Sequence, residues 1–232
     1  HSTRLSDGRE LIYFDDEGSE LGETRSLDRR TLEARPHTPS MRMDVLTGEW
    51  VSVAATRQDR AFLPPKEFDP LAPQTDQNPS EIPDNYDVAV FENKSPSFGP
   101  SVADEALTEH QRDDLYGLEW GKERPAVGRC EVVCFSPESE GSFGSLTPAR
   151  ARTVIEAWAH RTAALSAIPG IEQVFIFENR GEEIGVTLPH PHGQIYAYPF
   201  ITPRTRRLLD SVNSMGPDFF STLLAHEQSS ER

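Results

Sequence analysis

The residues best suited to chemistry lie in one stretch, Leu188-Pro189-His190-Pro191-His192-Gly193-Gln194-Ile195-Tyr196-Ala197. Each proline disfavours the helical region for the residue before it, so Leu188 and His190 are expected to be extended. Proline also offers no amide hydrogen to a sheet ladder, which places the segment at an edge or a bulge. In an extended chain His190, His192 and Gln194 alternate onto one face, with successive side chains about 7 Å apart. Gly193 would let a ligand come close to the backbone. Three roles compete for this pattern. Two structural histidines in a strand would not need two conformationally restrictive prolines. His-x-His is a common metal-ligand spacing, but tetrahedral zinc needs two further ligands. The remaining histidines (His1, His37, His110, His160 and His226) show no paired spacing. The third role is nucleophilic. An imidazole with an ordinary pKa of about 6.5 is largely neutral at cytosolic pH and can attack phosphorus directly. A flanking glutamine donates hydrogen bonds to a phosphoryl oxygen but does not readily supply or remove a proton. That suits group transfer between two phosphates better than hydrolysis, and the pattern favours a nucleophile over a metal site.

Such a segment needs a sheet to hold it. Two period-2 runs flanking a glycine turn predict a hairpin over residues 41–53. Residues 62–84 are proline-rich and aperiodic, a long loop. Residues 86–91 read as a strand running into Glu92-Asn93-Lys94, and residues 101–125 are charged and irregular. A buried strand is expected over 128–135. Thr147-Pro148 then supplies an N-cap with proline at the first helical position. The helix should run to about Ser166, with Val154, Ile155, Trp158 and Leu165 on one face. Residues 171–177 form an almost continuous apolar strand ending at Glu178-Asn179-Arg180-Gly181. Thr202-Pro203 opens a second helix, and residues 219–227 are a third helical stretch. The first forty residues are polar except for Leu11-Ile12-Tyr13-Phe14, which suggests an arm with one strand. The expected class is α+β, a mostly antiparallel sheet with a long packed helix. Its expected parts are an arm (1–40), the main domain (41–200) and C-terminal helices (201–232).

Charge and cysteine usage narrow the function. The 232 residues carry 23 basic and 38 acidic side chains, a net charge of −15. A general nucleic-acid binder or an anionic-membrane binder needs the opposite balance. A phosphate-bearing small molecule would have to find a local basic patch. No apolar run is long enough for a transmembrane helix, and there is no signal-peptide pattern. Cys130 and Cys134 lie four residues apart in a strand, about 13 Å and too far for a mutual disulfide. A reducing cytoplasm is the expected compartment.

With Phe177-Glu178-Asn179-Arg180-Gly181, Gly185 and His190-Pro191-His192-Gly193-Gln194 in this order, the sequence resembles galactose-1-phosphate uridylyltransferase of the histidine-triad superfamily. The resemblance runs from about Met41 through Phe200 and includes Cys134-Phe135-Ser136-Pro137. It implies a histidine-triad-like fold and a two-step, ping-pong transfer belonging to galactose metabolism (the Leloir pathway). His192 would take the uridylyl group from UDP-glucose, and galactose 1-phosphate would then collect it. Gln194 would stabilise the transferred phosphate. Asn179, Gly185 and Thr187 match nucleotide-contact positions, with Thr187 where Ser is commoner. Arg57 and Arg60 match an arginine pair after the first hairpin, Asn93 matches a residue on the uridine side, and Arg180 and His190 complete the substrate-binding set. Read without the resemblance, Arg57 and Arg60 are ordinary loop cations and Asn179 is equally a turn former.

The resemblance also bears on cofactors and partners. Some members hold zinc with a Cys-x-x-Cys, a His after the Ser-Pro element and the first motif histidine. Here the loop reads Asp69-Pro70-Leu71-Ala72-Pro73-Gln74, Ser139 stands at the second place, and His190 alone remains. A second metal site uses a Glu where this chain has Leu208. No metal and no cofactor is therefore expected. The expected partners are UDP-glucose and galactose 1-phosphate, with no nucleic acid and no membrane. Typical members carry a second half, so a homodimer or pairing with a C-terminal half is expected. Two alternatives stay open: a nucleotide-binding subunit that needs that half, and a dinucleotide phosphorylase or nucleotide hydrolase of the same superfamily.

Overall fold

The computed structural model describes residues 1–22, 24–33, 35, 38–54, 65, 68–99, 123–184, 186 and 188–230. The described chain first forms β1 (Ser2–Arg4), β2 (Glu10–Phe14), β3 (Ser40–Asp44), β4 (Glu49–Val53), β5 (Val88–Glu92), β6 (Glu123–Pro125) and β7 (Arg129–Cys134). There follow α1 (Pro148–Ser166), β8 (Gln173–Phe177), β9 (His192–Tyr198), α2 (Pro203–Met215) and α3 (Phe219–Ser229). One sheet has the order β1-β2-β5-β7-β9-β8 and a smaller one β4-β3-β6, with every pairing antiparallel. The fold is α+β, as the pattern predicts.

Register decides which side chains share a face. His192 pairs with Cys134, Gln194 with Val132 and Tyr196 with Cys130 on β7. Gln194 and Tyr196 also pair with Phe177 and Phe175 on β8. Directly paired residues lie on the same side of a sheet, so these residues share one face. The alternate residues Ile195 and Ala197 join Val88, Val90, Val133 and Phe135 under Val154, Ala157 and Leu165 of α1. Each such buried aliphatic side chain contributes about 1.5–3 kcal/mol. The site face is covered at one end by residues 68–86, where Leu71, Ile82 and Tyr86 pack on Leu11, Tyr13, Ala89 and Phe91. At the other end Met41 of the small sheet packs with Phe98, Ala126 and Cys130. Gln194 lies between the two covers.

Helix α1 begins where Thr147 accepts a hydrogen bond from the Arg150 amide at 3.2 Å, with Pro148 behind it. Its buried stripe is Thr153, Val154, Ala157, Arg161 and Leu165. Ile155, expected on that face, is 53% exposed. One residue on from Val154 is about 100° around the helix, which turns its side chain outward. Trp158 does pack inward, against Phe135 and stacked on Phe143. Ion pairs pin both halves of the helix. Arg150 reaches Asp16 at 2.9 Å and Asp87 at 2.6 Å. Arg161 holds Glu131 at 2.7 Å, deep under the helix, beside Arg129, Glu10 and Glu92.

Two strands differ from the sequence expectation. The first forty residues supply β1 as well as β2, and Arg9 is buried between Asp7 and Glu81. Charges neutralised in pairs let a polar segment enter the core. At the end of the irregular stretch, β6 pairs with β3 and places Glu123 3.4 Å from Arg42. Glu123-Arg124-Pro125 is too short to carry a period. Helices α2 and α3 bury no residue. Among the described residues, no helix is long and apolar enough to cross a membrane.

The Arg161 contact sets a measurable cost. Arg161→Ala should destabilise the protein by about 3 kcal/mol in urea unfolding. That is the low end for a broken buried pair, because Arg129 still reaches Glu131 at 3.1 Å. A loss under half that size would mean that Arg129 alone satisfies Glu131.

Candidate active site

His192 opens β9. The Pro191 carbonyl just before it accepts from the Phe135 amide at 3.0 Å, which fixes where the strand begins. The His192 ring is partly buried, and its Nδ1 lies 2.7 Å from the backbone carbonyl of His190. A carbonyl only accepts, so Nδ1 carries the proton and Nε2 keeps its lone pair. No described residue takes Nε2 as a partner. Burial lowers the ring's pKa below the ordinary 6.5, although the His190 carbonyl and the nearby Glu178 act the other way. The ring is therefore neutral at physiological pH, with its basic nitrogen turned away from the backbone.

His190, expected among the substrate-binding residues, is buried more deeply than His192. It is 1% exposed. Its Nδ1 donates to the Asp69 carboxylate at 2.7 Å, and its Nε2 lies 2.8 Å from the Ser136 carbonyl and 3.0 Å from the Tyr86 hydroxyl. Both ring nitrogens are taken by protein groups, so the ring supports the site from behind. Burial alone would raise the Asp69 pKa. The bonds from His190, Ser139 and the Leu71 amide overcome that and hold it down at about 2.

The other expected residues divide by position. Gln194 follows His192 on the same face of β9, partly buried. Phe177 pairs with Gln194, so Asn179 and Arg180, just beyond β8, lie at the His192 end of the sheet, both exposed. Asn93 shares the face but extends β5 at the opposite end. Its amide donates to the Cys130 carbonyl, four strand residues (about 13 Å) from the position paired with His192. Its side chain is buried and accepts from the Ser95 amide at 3.0 Å. Arg57, Arg60, Gly185 and Thr187 lie outside the described residues. Gly193 has a different role from the expected close approach of a ligand. A Cβ there would stand 2.9 Å from the Phe135 ring and 3.1 Å from the Phe177 carbonyl, on the side away from His192. Asp69, Tyr86 and Glu178 were not singled out from the sequence. Asp69 sits in an aperiodic proline-rich loop, and nothing local marks its contact with a residue 121 positions later.

Residues 30–202 match the family model described as galactose-1-phosphate uridyl transferase, N-terminal domain. The chain belongs to this family. It is 42% identical over its whole length to galactose-1-phosphate uridylyltransferase of Streptomyces lividans, of which it covers 59%. Against the same-named protein of Thermotoga maritima it is 34% identical, with 71% of this chain and 48% of the relative covered. The chain thus spans about half the length of the curated relatives it matches. A solved structure described as "Structure of uridylyltransferase" superposes with a TM-score of 0.57 at 24% identity, over 76% of this chain and 51% of that one, which shows a shared fold.

Zinc of the kind some family members hold does not fit the residues here. His190 offers no unoccupied ring nitrogen, and the described residues contain no group of three His, Cys, Asp or Glu side chains able to hold a metal ion. Asp69 instead takes hydrogen bonds from both Ser139 and His190.

The packing of Gly193 yields a test. Gly193→Ala should cost about 1–3 kcal/mol of stability through overpacking against Phe135, measured by thermal or urea unfolding. Unchanged stability with weakened nucleotide binding would restore the ligand-approach reading.

Proposed function

We propose that this chain carries the uridylyl-transfer chemistry of UDP-glucose:hexose-1-phosphate uridylyltransferase, with His192 as the catalytic nucleophile. The observation that carries the proposal is the 2.7 Å bond from Nδ1 to the His190 carbonyl, which leaves Nε2 as the basic ring nitrogen. In the first step Nε2 attacks the α-phosphorus of UDP-glucose. A P–N bond forms, the P–O bond to glucose 1-phosphate breaks, and the ring becomes a uridylyl-imidazolium whose Nδ1 keeps its proton, donated to the His190 carbonyl. In the second step a phosphate oxygen of galactose 1-phosphate attacks the same phosphorus, the P–N bond breaks, and UDP-galactose leaves with the ring restored. No proton has to be relayed, which agrees with a glutamine beside the nucleophile. The Gln194 amide donates to a phosphoryl oxygen as charge shifts there.

Phosphate charge in a protein of net charge −15 needs local cations. Arg180 is exposed at the His192 end, and Arg57 and Arg60 are proposed as further substrate-binding cations. Asn179, Gly185 and Thr187 are proposed as nucleotide contacts, and Asn93 as a contact on the uridine side. No resident metal is proposed for the chemistry, and no nucleic-acid or membrane partner. Cys130 and Cys134 are both buried on β7, four strand residues and about 13 Å apart, too far for a mutual disulfide, which supports a reducing cytoplasmic setting. A partner, either a second copy or a C-terminal half, is supported by the exposed Leu208, Met215, Phe220 and Leu224 on α2 and α3.

Intact-mass measurement after incubation with UDP-glucose should show one uridylyl adduct, lost in His192→Gln while nucleotide binding persists. Release of free UMP with no label on protein would refute transfer. The rate of adduct formation should also depend on pH. The nucleophile must be neutral and its pKa is lowered by burial, so the rate should hold as pH falls through 6.5 and decline only below it. A midpoint above 6.5 would contradict the burial argument.

A further inference from the structure

We infer that Asp69 and Tyr86 are positioning residues for His192, acting through the buried His190 ring to hold the carbonyl that fixes the nucleophile's tautomer. The kinetic part rests on the reading of His192 given above; the tautomer part does not.

The contacts form one continuous path. The Asp69 carboxylate binds His190 Nδ1 at 2.7 Å, the Ser136 carbonyl and Tyr86 hydroxyl close on Nε2, and the His190 carbonyl meets His192 Nδ1 at 2.7 Å. The anchors are themselves held. The Leu71 amide donates to the second Asp69 oxygen at 2.9 Å, and the Asn78 side chain donates to the Asp69 carbonyl at 2.8 Å. The Tyr86 hydroxyl lies 2.7 Å from the Leu71 carbonyl and 2.8 Å from that of Ser136. The Glu81 amide closes the same loop onto the Pro70 carbonyl at 2.8 Å.

A carbonyl's direction depends on the backbone torsions of its residue. Pro191 confines His190 to extended conformations, and the doubly bonded, fully buried ring removes the remaining rotation. Loosening the ring lets the His190 carbonyl swing. His192 then loses what distinguishes Nδ1 from Nε2. The arrangement also gives the region around His190 a metal-free means of support, built from a carboxylate, a phenol and a backbone carbonyl.

Two variants test this in the intact protein. Asp69→Asn keeps the side-chain shape and removes the charge, and Tyr86→Phe removes one hydroxyl. The first readout is 15N NMR of the His192 ring. The wild type should show a proton on Nδ1, and each variant a mixture of tautomers. The second is single-turnover adduct formation at saturating UDP-glucose. It should fall about tenfold in Asp69→Asn while UDP-glucose affinity is unchanged. A purely structural role would lower melting temperature and leave the tautomer of the folded fraction intact, and that result overturns the inference. So does an unchanged tautomer in both variants. Should Asp69→Asn fail to fold, Tyr86→Phe carries the same two readouts. If the wild type forms no adduct, the nucleophile reading falls and the NMR result alone decides this one.

Discussion

One hydrogen bond, from the His192 ring to the carbonyl two residues earlier, organises the site face of the sheet. It has two effects. In the resting protein it chooses which nitrogen is basic. In the proposed transfer the ring would be cationic once phosphorus is bound, and the same bond would become charge-assisted, about twice as strong as its neutral form. An interaction that strengthens as the reaction proceeds favours the transition state over the bound substrate. A nitrogen hydrogen-bonded to a side-chain carboxylate could later surrender its proton. A backbone carbonyl cannot take it, so in the proposed reaction the ring would stay competent through both half-reactions.

The rest of the fold serves to keep that bond in register. Strands β7, β9 and β8 align His192, Gln194 and the end of β8 by ladder pairing alone. On the other face α1 is clamped by Arg150 to Asp16 and Asp87 and by Arg161 to Glu131. Asp16 and Glu10 come from the first sixteen residues, so the polar start of the chain is bound to the same helix that backs the strand carrying His192. Many of the arginines are neutralised in these internal pairs. Arg180 makes no ion pair among the described residues, which suits it to an incoming phosphate.

The periodic parts of the fold were legible in the sequence. The Thr147-Pro148 cap, the apolar runs of β7 and β8 and the proline-flanked histidines each carry a local signal that folding retains. What could not be read locally was cross-chain chemistry. His190 and His192 look equivalent as residues, yet one has a ring nitrogen with no partner among the described residues and the other is fully engaged, because Asp69, Tyr86 and Ser136 converge from elsewhere. Gly193 suggested room for a ligand, whereas its missing side chain accommodates the Phe135 ring. Strands β1 and β6 escaped notice because three residues are too few to show alternation.

The 121-residue gap between Asp69 and His190 has a consequence for the growing polypeptide. During synthesis the histidine motif emerges long after the loop that must receive it, and closing so wide a separation is entropically slow. Until that closure, His192 is an ordinary imidazole in a floppy segment, with neither nitrogen preferred. On the proposed reading, reactivity would therefore arrive with completed tertiary structure, and labelling of this one ring by a nucleotide sugar would report maturation of the whole domain.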